Sequence, residues 1–170
     1  MTRLLGSVFV HPWFISFLNL LFTFNLFHAV LEMRLSSLSD REEVVGIIEG
    51  LGIIMIAWGV ALEERHKLRE IFHVIPKKNR LEINYQNAID ENCHRFGLGF
   101  LLLGLFAEVG AACVDIPDRI INTQHLEGAV LSLSGFCLVL CGILLMSQTA
   151  ILLFTSRNWL IRRYQTGSVT

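Results

Sequence analysis

A glutamate stands inside an otherwise apolar stretch, VVGIIEGLGIIMIAWGVAL, which covers residues 44–62. If the stretch is helical, Glu49 lies about 7 Å from its first residue, at a rise of about 1.5 Å per residue. Glu108 lies at a similar depth in a second apolar stretch, and His28 and Glu32 lie near the end of a third. A charged side chain at the centre of a membrane-spanning helix costs about 2.5–3.5 kcal/mol on insertion scales, so such residues are usually paired or functional. The first candidate site is therefore a polar pocket formed by His28, Glu32, Glu49 and Glu108, close to the outer surface of a membrane.

Two interpretations of this pocket remain open. Small residues share the helix faces of Glu49 and Glu108, so both carboxylates are expected to point toward other helices rather than toward lipid. In the first interpretation, the carboxylates and His28 take up protons or cations, because these are the groups that can titrate or bind an ion there. In the second, the same side chains share a proton or hydrogen-bond across helices and only hold the helices together.

Two E-x-x-H patterns form a second candidate site, with Glu63 before His66 and Glu91 before His94. A turn near residue 80 would bring His66 and His94 to the same level, because both are equally far from it along the chain. Histidine and carboxylate groups bind zinc, and a pair of histidines can hold haem b. The further carboxylates that a di-iron bundle takes from two other helices are missing at the corresponding helix ends. One interpretation of the second site is a metal or a haem bound by Glu63, His66, Glu91 and His94. The other is a set of solvated surface residues, because Glu and His three residues apart are easily found on the exposed face of a charged helix.

The composition places the chain in a membrane. Of its 170 residues, 53% are hydrophobic and only 17% are charged, and its mean hydropathy is +0.55. Soluble domains average about 45–50% apolar and about 25% charged residues. A bilayer core about 30 Å thick requires about 20 apolar residues per helix, and four stretches meet this requirement: residues 10–31, 44–62, 96–114 and 128–154. The predicted fold is all-α, a polytopic four-transmembrane-helix bundle that forms a single domain over residues 1–170.

Lysine and arginine are distributed unequally between the two sides of the membrane. The N-terminus, residues 63–95 and the C-terminus carry eleven of them, whereas the two opposite connections carry only Arg34, Arg41 and Arg119. Because positive residues stay in the cytoplasm, both termini are predicted to be cytoplasmic. An amphipathic pattern in residues 63–95 predicts that the second and third membrane helices extend into the cytoplasm as a hairpin. A bacterial or archaeal plasma membrane is the default location, and an organellar inner membrane is the alternative.

The pattern D-R-x7-E-G occurs twice, in DREEVVGIIEG (residues 40–50) and in DRIINTQHLEG (residues 118–128). The related stretches LFHAV and LFAEV precede the two copies at residues 26–30 and 105–109. One interpretation is an internal duplication, with two helical hairpins related by an axis along the membrane normal. The other interpretation is coincidence, because acidic residues are common at the start of any helix.

No catalytic signature accompanies these features, since the sequence contains no G-x-S-x-G, no Walker-type loop and no H-E-x-x-H. The four cysteines lie in or beside apolar stretches without C-x-x-C spacing, and are expected to be packing residues. The sequence therefore favours a non-catalytic integral membrane subunit, or an assembly or scaffold factor, of a larger membrane complex. Its expected partners are the bilayer, bound lipids and other membrane subunits, and the net charge of −1 gives no basic surface for nucleic acid. The alternatives are a small oligomeric transporter or channel for protons or cations, and a haem- or metal-binding membrane redox protein.

Overall fold

The computed structural model describes residues 11–35, 41–71, 80–115 and 126–154, and every element within these ranges is a helix. The helices are α1 (Pro12–Leu35), α2 (Arg41–Glu63), α3 (Arg65–Ile71), α4 (Arg80–Asp115) and α5 (Glu127–Phe154). Four of them, α1, α2, α4 and α5, are long and apolar enough to cross a membrane. For the described residues, the prediction of an all-α fold with four helices long and apolar enough to span a membrane is confirmed.

The longest helix, α4, is one continuous element of 36 residues. At about 1.5 Å per residue it is about 54 Å long, well beyond the about 30 Å core of a bilayer. It starts at Arg80, well before the predicted apolar stretch at residue 96, because residues 80–95 continue the helix with polar side chains. Helix α3 continues α2 after a single turn residue, Glu64, and the amide of Glu64 still donates to the carbonyl of Val60 at 3.0 Å. The tip of the predicted hairpin, residues 72–79, lies outside the described residues.

The helices are packed around a central pair. Helices α2 and α4 make the most extensive contact, α5 packs against both α4 and α1, and α1 contacts α5 far more than it contacts α2. The two predicted hairpins are therefore packed differently, since α4 and α5 lie side by side whereas α1 and α2 barely touch. Below, the proximal end of the bundle is the end at which α1 begins and α2 and α5 end, and the distal end is the opposite one.

Glycines set the spacing and register of α2 and α4. A Cβ atom on Gly59 would lie 2.7 Å from the carbonyl oxygen of Gly97, and a Cβ atom on Gly104 would lie 2.9 Å from that of Gly52. The two backbones therefore touch at both levels, as is usual where membrane helices associate through small residues. Because Gly52 faces Gly104 and Gly59 faces Gly97, the helices run antiparallel. The facing residues of the two helices are equally far along the chain from residue 78, two residues before the predicted turn at residue 80.

The core lies between α4, α5 and the inner faces of α1 and α2. Phe100, Leu138, Leu145, Ile48 and Met55 are at most 1% exposed. Large apolar side chains also cover the outside of all four spanning helices, as expected where lipid rather than water surrounds the chain. The outside and the inside of this bundle are therefore distinguished by the positions of polar and small residues, and less by hydrophobicity.

Candidate functional site

Four polar side chains meet inside the bundle, one from each spanning helix, and we call them the buried network: Asn19, Trp58, Cys93 and Gln148. Asn19 Nδ2 donates to Gln148 Oε1 at 3.0 Å, and Trp58 Nε1 donates to Asn19 Oδ1 at 2.8 Å. Gln148 Nε2 donates to Cys93 Sγ at 3.8 Å. Asn19, Cys93 and Gln148 are fully buried. The network therefore connects all four spanning helices at one level, in the proximal half of the bundle.

The local structure holds this network in place. The Trp58 ring packs edge-on against Phe22 with a centroid distance of 5.3 Å, and Thr23 Oγ1 donates to the backbone carbonyl of Asn19 at 2.7 Å. The amides of Asn19 and Gln148 use donors and acceptors on each other and on the neighbouring helices, as buried amides must in a medium without water. All four groups are neutral or weakly polar. The network can fix the position of α1 against the other helices, and its members bond mainly to one another.

A charged cluster lies next to the network, at the junction of α2, α3 and α4. Arg65, which is only 3% exposed, donates through Nη1 to Asp90 Oδ1 and through Nη2 to Gln86 Oε1, the latter at 3.2 Å. Arg69 Nη1 lies 2.8 Å from Asp90 Oδ2 and forms an ion pair without hydrogen-bond alignment. One carboxylate thus lies between two guanidinium groups. This arrangement fastens α3 to α4.

The E-x-x-H residues are distributed over several separate contacts. His94 Nδ1 lies 4.0 Å from Glu63 Oε1, and His66 Nε2 lies 3.9 Å from Glu70 Oε1 within α3. Glu91 pairs with Arg95 at 2.8 Å. The glycine contacts place facing residues of α2 and α4 symmetrically about residue 78, whereas the prediction used residue 80. His94 therefore lies level with the end of α2, about one helical turn away from His66.

No group of three or more His, Cys, Asp or Glu side chains is placed to hold a metal ion within the described residues. The metal or haem site on Glu63, His66, Glu91 and His94 stays a prediction, of which the structure brings together His94 and Glu63 alone. Near these residues, Lys67 and Glu64 form an exposed ion pair. Lys67 on α3 donates to Glu64, and this hydrogen bond raises the pKa of Lys67.

The distal candidate residues form two separate pairs. Glu108 Oε2 is buried without a hydrogen-bond partner among the described residues, and it lies 3.0 Å from the position that a Cβ atom on Gly52 would occupy. Glu49, one turn earlier on α2, is close enough to act on Glu108 electrostatically. His28 and Glu32 instead pair with each other at 3.3 Å, and both side chains are more than half exposed on α1. The four residues therefore do not share one pocket, because the face of α1 that carries His28 is turned away from α2 and α4.

The buried network and the Arg65–Asp90 pair were not predicted from the sequence. Asn19 and Gln148 interrupt their apolar stretches in the same way as Glu49 does, so the signal that pointed to Glu49 is present for them as well. What the sequence does not reveal is that α1 and α5 are neighbours. Without that contact, each amide is a single polar residue with no visible partner.

No protein-family model, curated protein or solved structure matches this chain significantly. The class of protein is therefore defined only by the fold and by the geometry of the polar groups. This class is an all-helical protein with four helices able to cross a membrane, connected across all four helices by a buried hydrogen-bond network.

Proposed function

We propose that the chain is a non-catalytic integral membrane subunit, or a scaffold, that binds other membrane proteins through α1. The observation that carries this proposal is the aromatic face of α1, formed by Trp13, Phe17, Phe24 and Phe27. Each of these side chains is at least 62% exposed. Together with the exposed Leu20 and Leu31 they follow an alternating spacing of four and three residues, which is the spacing of a helix that packs along another helix.

The position of α1 supports this role. Among the described residues, one side of α1 is held by the bundle, mainly by α5 and by the buried network, and the opposite side carries exposed side chains. Large aromatic side chains contribute strongly to the energy of protein interfaces, because they bury much area with few rotatable bonds. The buried network supports a structural role for the interior of the bundle, since its polar groups form hydrogen bonds with one another.

The test compares aromatic faces on different helices. In the variant Phe17→Leu/Phe24→Leu/Phe27→Leu, the α1 surface keeps its hydrophobicity and loses its rings. The matched control is Phe106→Leu/Phe136→Leu, which removes two rings that are 64% and 57% exposed on α4 and α5. We expect the α1 variant to lose its stoichiometric partner subunits after gentle detergent extraction, while the control keeps them. Equal retention by both variants would refute the role of the aromatic face.

A second candidate function, the handling of protons or cations, is favoured by Glu108. Its buried oxygen has no hydrogen-bond partner within the part of the chain that the structure describes, and it lies close to a second carboxylate. A carboxylate in such a position is the kind of group that binds a proton or a small cation. The test is flux into proteoliposomes that contain the purified chain. Glu108→Gln should abolish a proton-coupled flux, because an amide can hydrogen-bond and cannot titrate. Absence of flux in the unmodified chain removes this candidate.

We also propose that both termini and the α3 side of the bundle lie in the cytoplasm. The unequal distribution of lysine and arginine supports this orientation. The charged cluster of α3 and α4 would then lie near the cytoplasmic surface, and the Glu49–Glu108 pair would lie toward the outside.

A further inference from the structure

A row of exposed side chains, three of them polar, lies beside the aromatic face, and we call it the polar seam: Leu21, Asn25, His28 and Glu32. All four residues are exposed on the outside of the bundle. Their spacing of four, three and four residues places them in one line along α1, as in the contact line of a left-handed helix pair. Polar residues in membrane helices usually face the interior of a bundle, so this exposed row is unusual.

Of the polar seam residues, Asn25 lies deepest in the spanning part of α1 among those with a polar side chain, so contact with lipid is the least favourable for it. It precedes Met33, the end of the spanning part of α1, by eight residues, which corresponds to about 12 Å along the helix. Its side chain is too short to reach the headgroups from this depth, unlike the longer side chains of residues nearer the helix end. Asn25 Nδ2 donates to the carbonyl of Leu21 at 2.8 Å. A carboxamide can make further hydrogen bonds through its second hydrogen and its oxygen, and hydrocarbon chains offer no partner for them.

We propose that the polar seam of α1 binds the same seam of a second copy of this chain, in a parallel dimer. Two copies inserted in the same orientation are related by a two-fold axis along the membrane normal, and this axis places Asn25 opposite Asn25 at equal depth. A carboxamide is self-complementary because it both donates and accepts. The axis also places His28 opposite His28 and Glu32 opposite Glu32, and each histidine pairs with the carboxylate of its own helix at 3.3 Å.

The bundle tolerates this interface without rearrangement. The residues that hold α1 to the bundle, Asn19 and Leu26, are 0% and 4% exposed and lie on the other side of the helix. The dimer does not depend on the binding of other subunits, because the seam and the aromatic face occupy different lines on α1. A single buried Asn also fixes the register and the number of helices in such pairs.

The test is energy transfer between donor- and acceptor-labelled copies of the purified full chain in phosphatidylcholine vesicles, over a series of protein-to-lipid ratios. We expect the unmodified chain to dimerise, and Asn25→Leu to weaken dimerisation about 3- to 30-fold, the range that interhelical hydrogen bonds in membranes give. Asn25→Gln should retain the dimer, because it keeps the amide. The matched control is Ser147→Leu, which removes an exposed polar group of α5 that also bonds within its own helix, and should leave dimerisation unchanged.

Other outcomes overturn the proposal. An unmodified chain that stays monomeric at all ratios excludes the dimer. A dimer that survives Asn25→Leu and is lost in Phe17→Leu/Phe24→Leu/Phe27→Leu forms through the aromatic face instead of the seam. The chain is measured here without other proteins, so failure of the dimer leaves the proposed binding of other subunits untouched. Loss of those subunits in the extraction experiment equally leaves the dimer standing.

Discussion

At the scale of single residues, the chain combines a buried network of polar groups that bond to one another with a row of exposed polar groups on α1. Asn19 and Gln148 lie 0% exposed in the middle of apolar stretches and bond to each other at 3.0 Å. Burial of an amide without a partner costs about 1–3 kcal/mol in proteins. Each amide is therefore tolerated because the other one is present, and α1 is held where this pair can form.

We expect Asn19→Leu and Gln148→Leu to be non-additive. Each single change leaves one buried amide without its partner, whereas the double change removes both, so the double variant should be less destabilised than the two single effects combined. Coupling between groups in contact is about 0.5–3 kcal/mol, and hydrogen bonds between membrane helices average about 0.6 kcal/mol. The free energy of unfolding in mixed micelles measures it, with exposed Ser147→Leu as the neighbouring control. Strict additivity would show that the two amides do not interact.

Adjacent residues on α4 should respond very differently to loss of charge. Asp90→Asn leaves the buried Arg65 without its counter-charge, and breaking a buried ion pair costs about 3–5 kcal/mol. Glu91→Gln breaks only the exposed pair with Arg95 within the same helix, which is worth about 0.3–0.5 kcal/mol. Unfolding of the two variants at low and high salt measures both effects, and salt should screen only the second. Equal losses of stability would contradict the burial of the Arg65–Asp90 pair.

At the scale of helices, the contact between α2 and α4 organises the molecule. Gly52 and Gly59 on α2 meet Gly104 and Gly97 on α4 with backbone in contact with backbone. Close approach of this kind is available only to residues without a side chain. Helix α1 has no comparable glycine contact with α2, so it is attached at the edge of the bundle.

Two glycines of the same helix should therefore differ in their tolerance of a methyl group. We expect Gly59→Ala to destabilise the protein by about 1–3 kcal/mol, the usual cost of overpacking, because its Cβ would lie 2.7 Å from backbone atoms of α4. Gly50→Ala should be neutral or stabilising by up to about 1 kcal/mol, since nothing lies within 4 Å of its Cβ position and alanine favours the helix. Thermal unfolding in detergent compares them. A destabilising Gly50→Ala together with a neutral Gly59→Ala would show that the opposite face of α2 meets α4.

The existence of these helices was predictable from the sequence, whereas their pairing was not. Apolar stretches of about 20 residues can hardly be anything except spanning helices, and α1, α2, α4 and α5 confirm them. Gly46 and Gly50 look the same in the sequence as Gly52 and Gly59, and only the latter two face α4. In a membrane the outside of a helix is as apolar as the inside, so no amphipathic pattern shows which face is packed. For the same reason, the sequence did not show that His28 is exposed or that Asn19 pairs with Gln148.

At the scale of the whole molecule, the polar groups described above lie in three places: the proximal half of the bundle, its distal half and the exposed side of α1. The buried network and the charged cluster occupy the proximal half, and the Glu49–Glu108 pair occupies the distal half. The exposed side of α1 carries the aromatic face and the polar seam. The interior of the bundle is therefore held together by its own polar contacts, and α1 is the helix through which we propose that the chain binds other chains.

The orientation in the membrane can be tested by labelling. We expect cysteines introduced at Ser37 and Asn122 to react with an impermeant maleimide in intact cells, and a cysteine at Asn79 to react only after the membrane is opened. The reason is the excess of lysine and arginine in the termini and in residues 63–95. The unmodified chain is the control, since Cys93, Cys137 and Cys141 are buried and Cys113 is half-buried. Labelling of Asn79→Cys in intact cells would reverse the orientation.

The mass of the complex extracted from its native membrane tests the proposed subunit role most directly. Native mass spectrometry after gentle detergent extraction reports the chain together with whatever remains bound to it. The proposal predicts a stoichiometric species heavier than two copies of the 19.3 kDa chain, which contains other membrane polypeptides and loses them in Phe17→Leu/Phe24→Leu/Phe27→Leu. A species made of one or two copies of this chain alone, unchanged by that variant, would contradict the proposal.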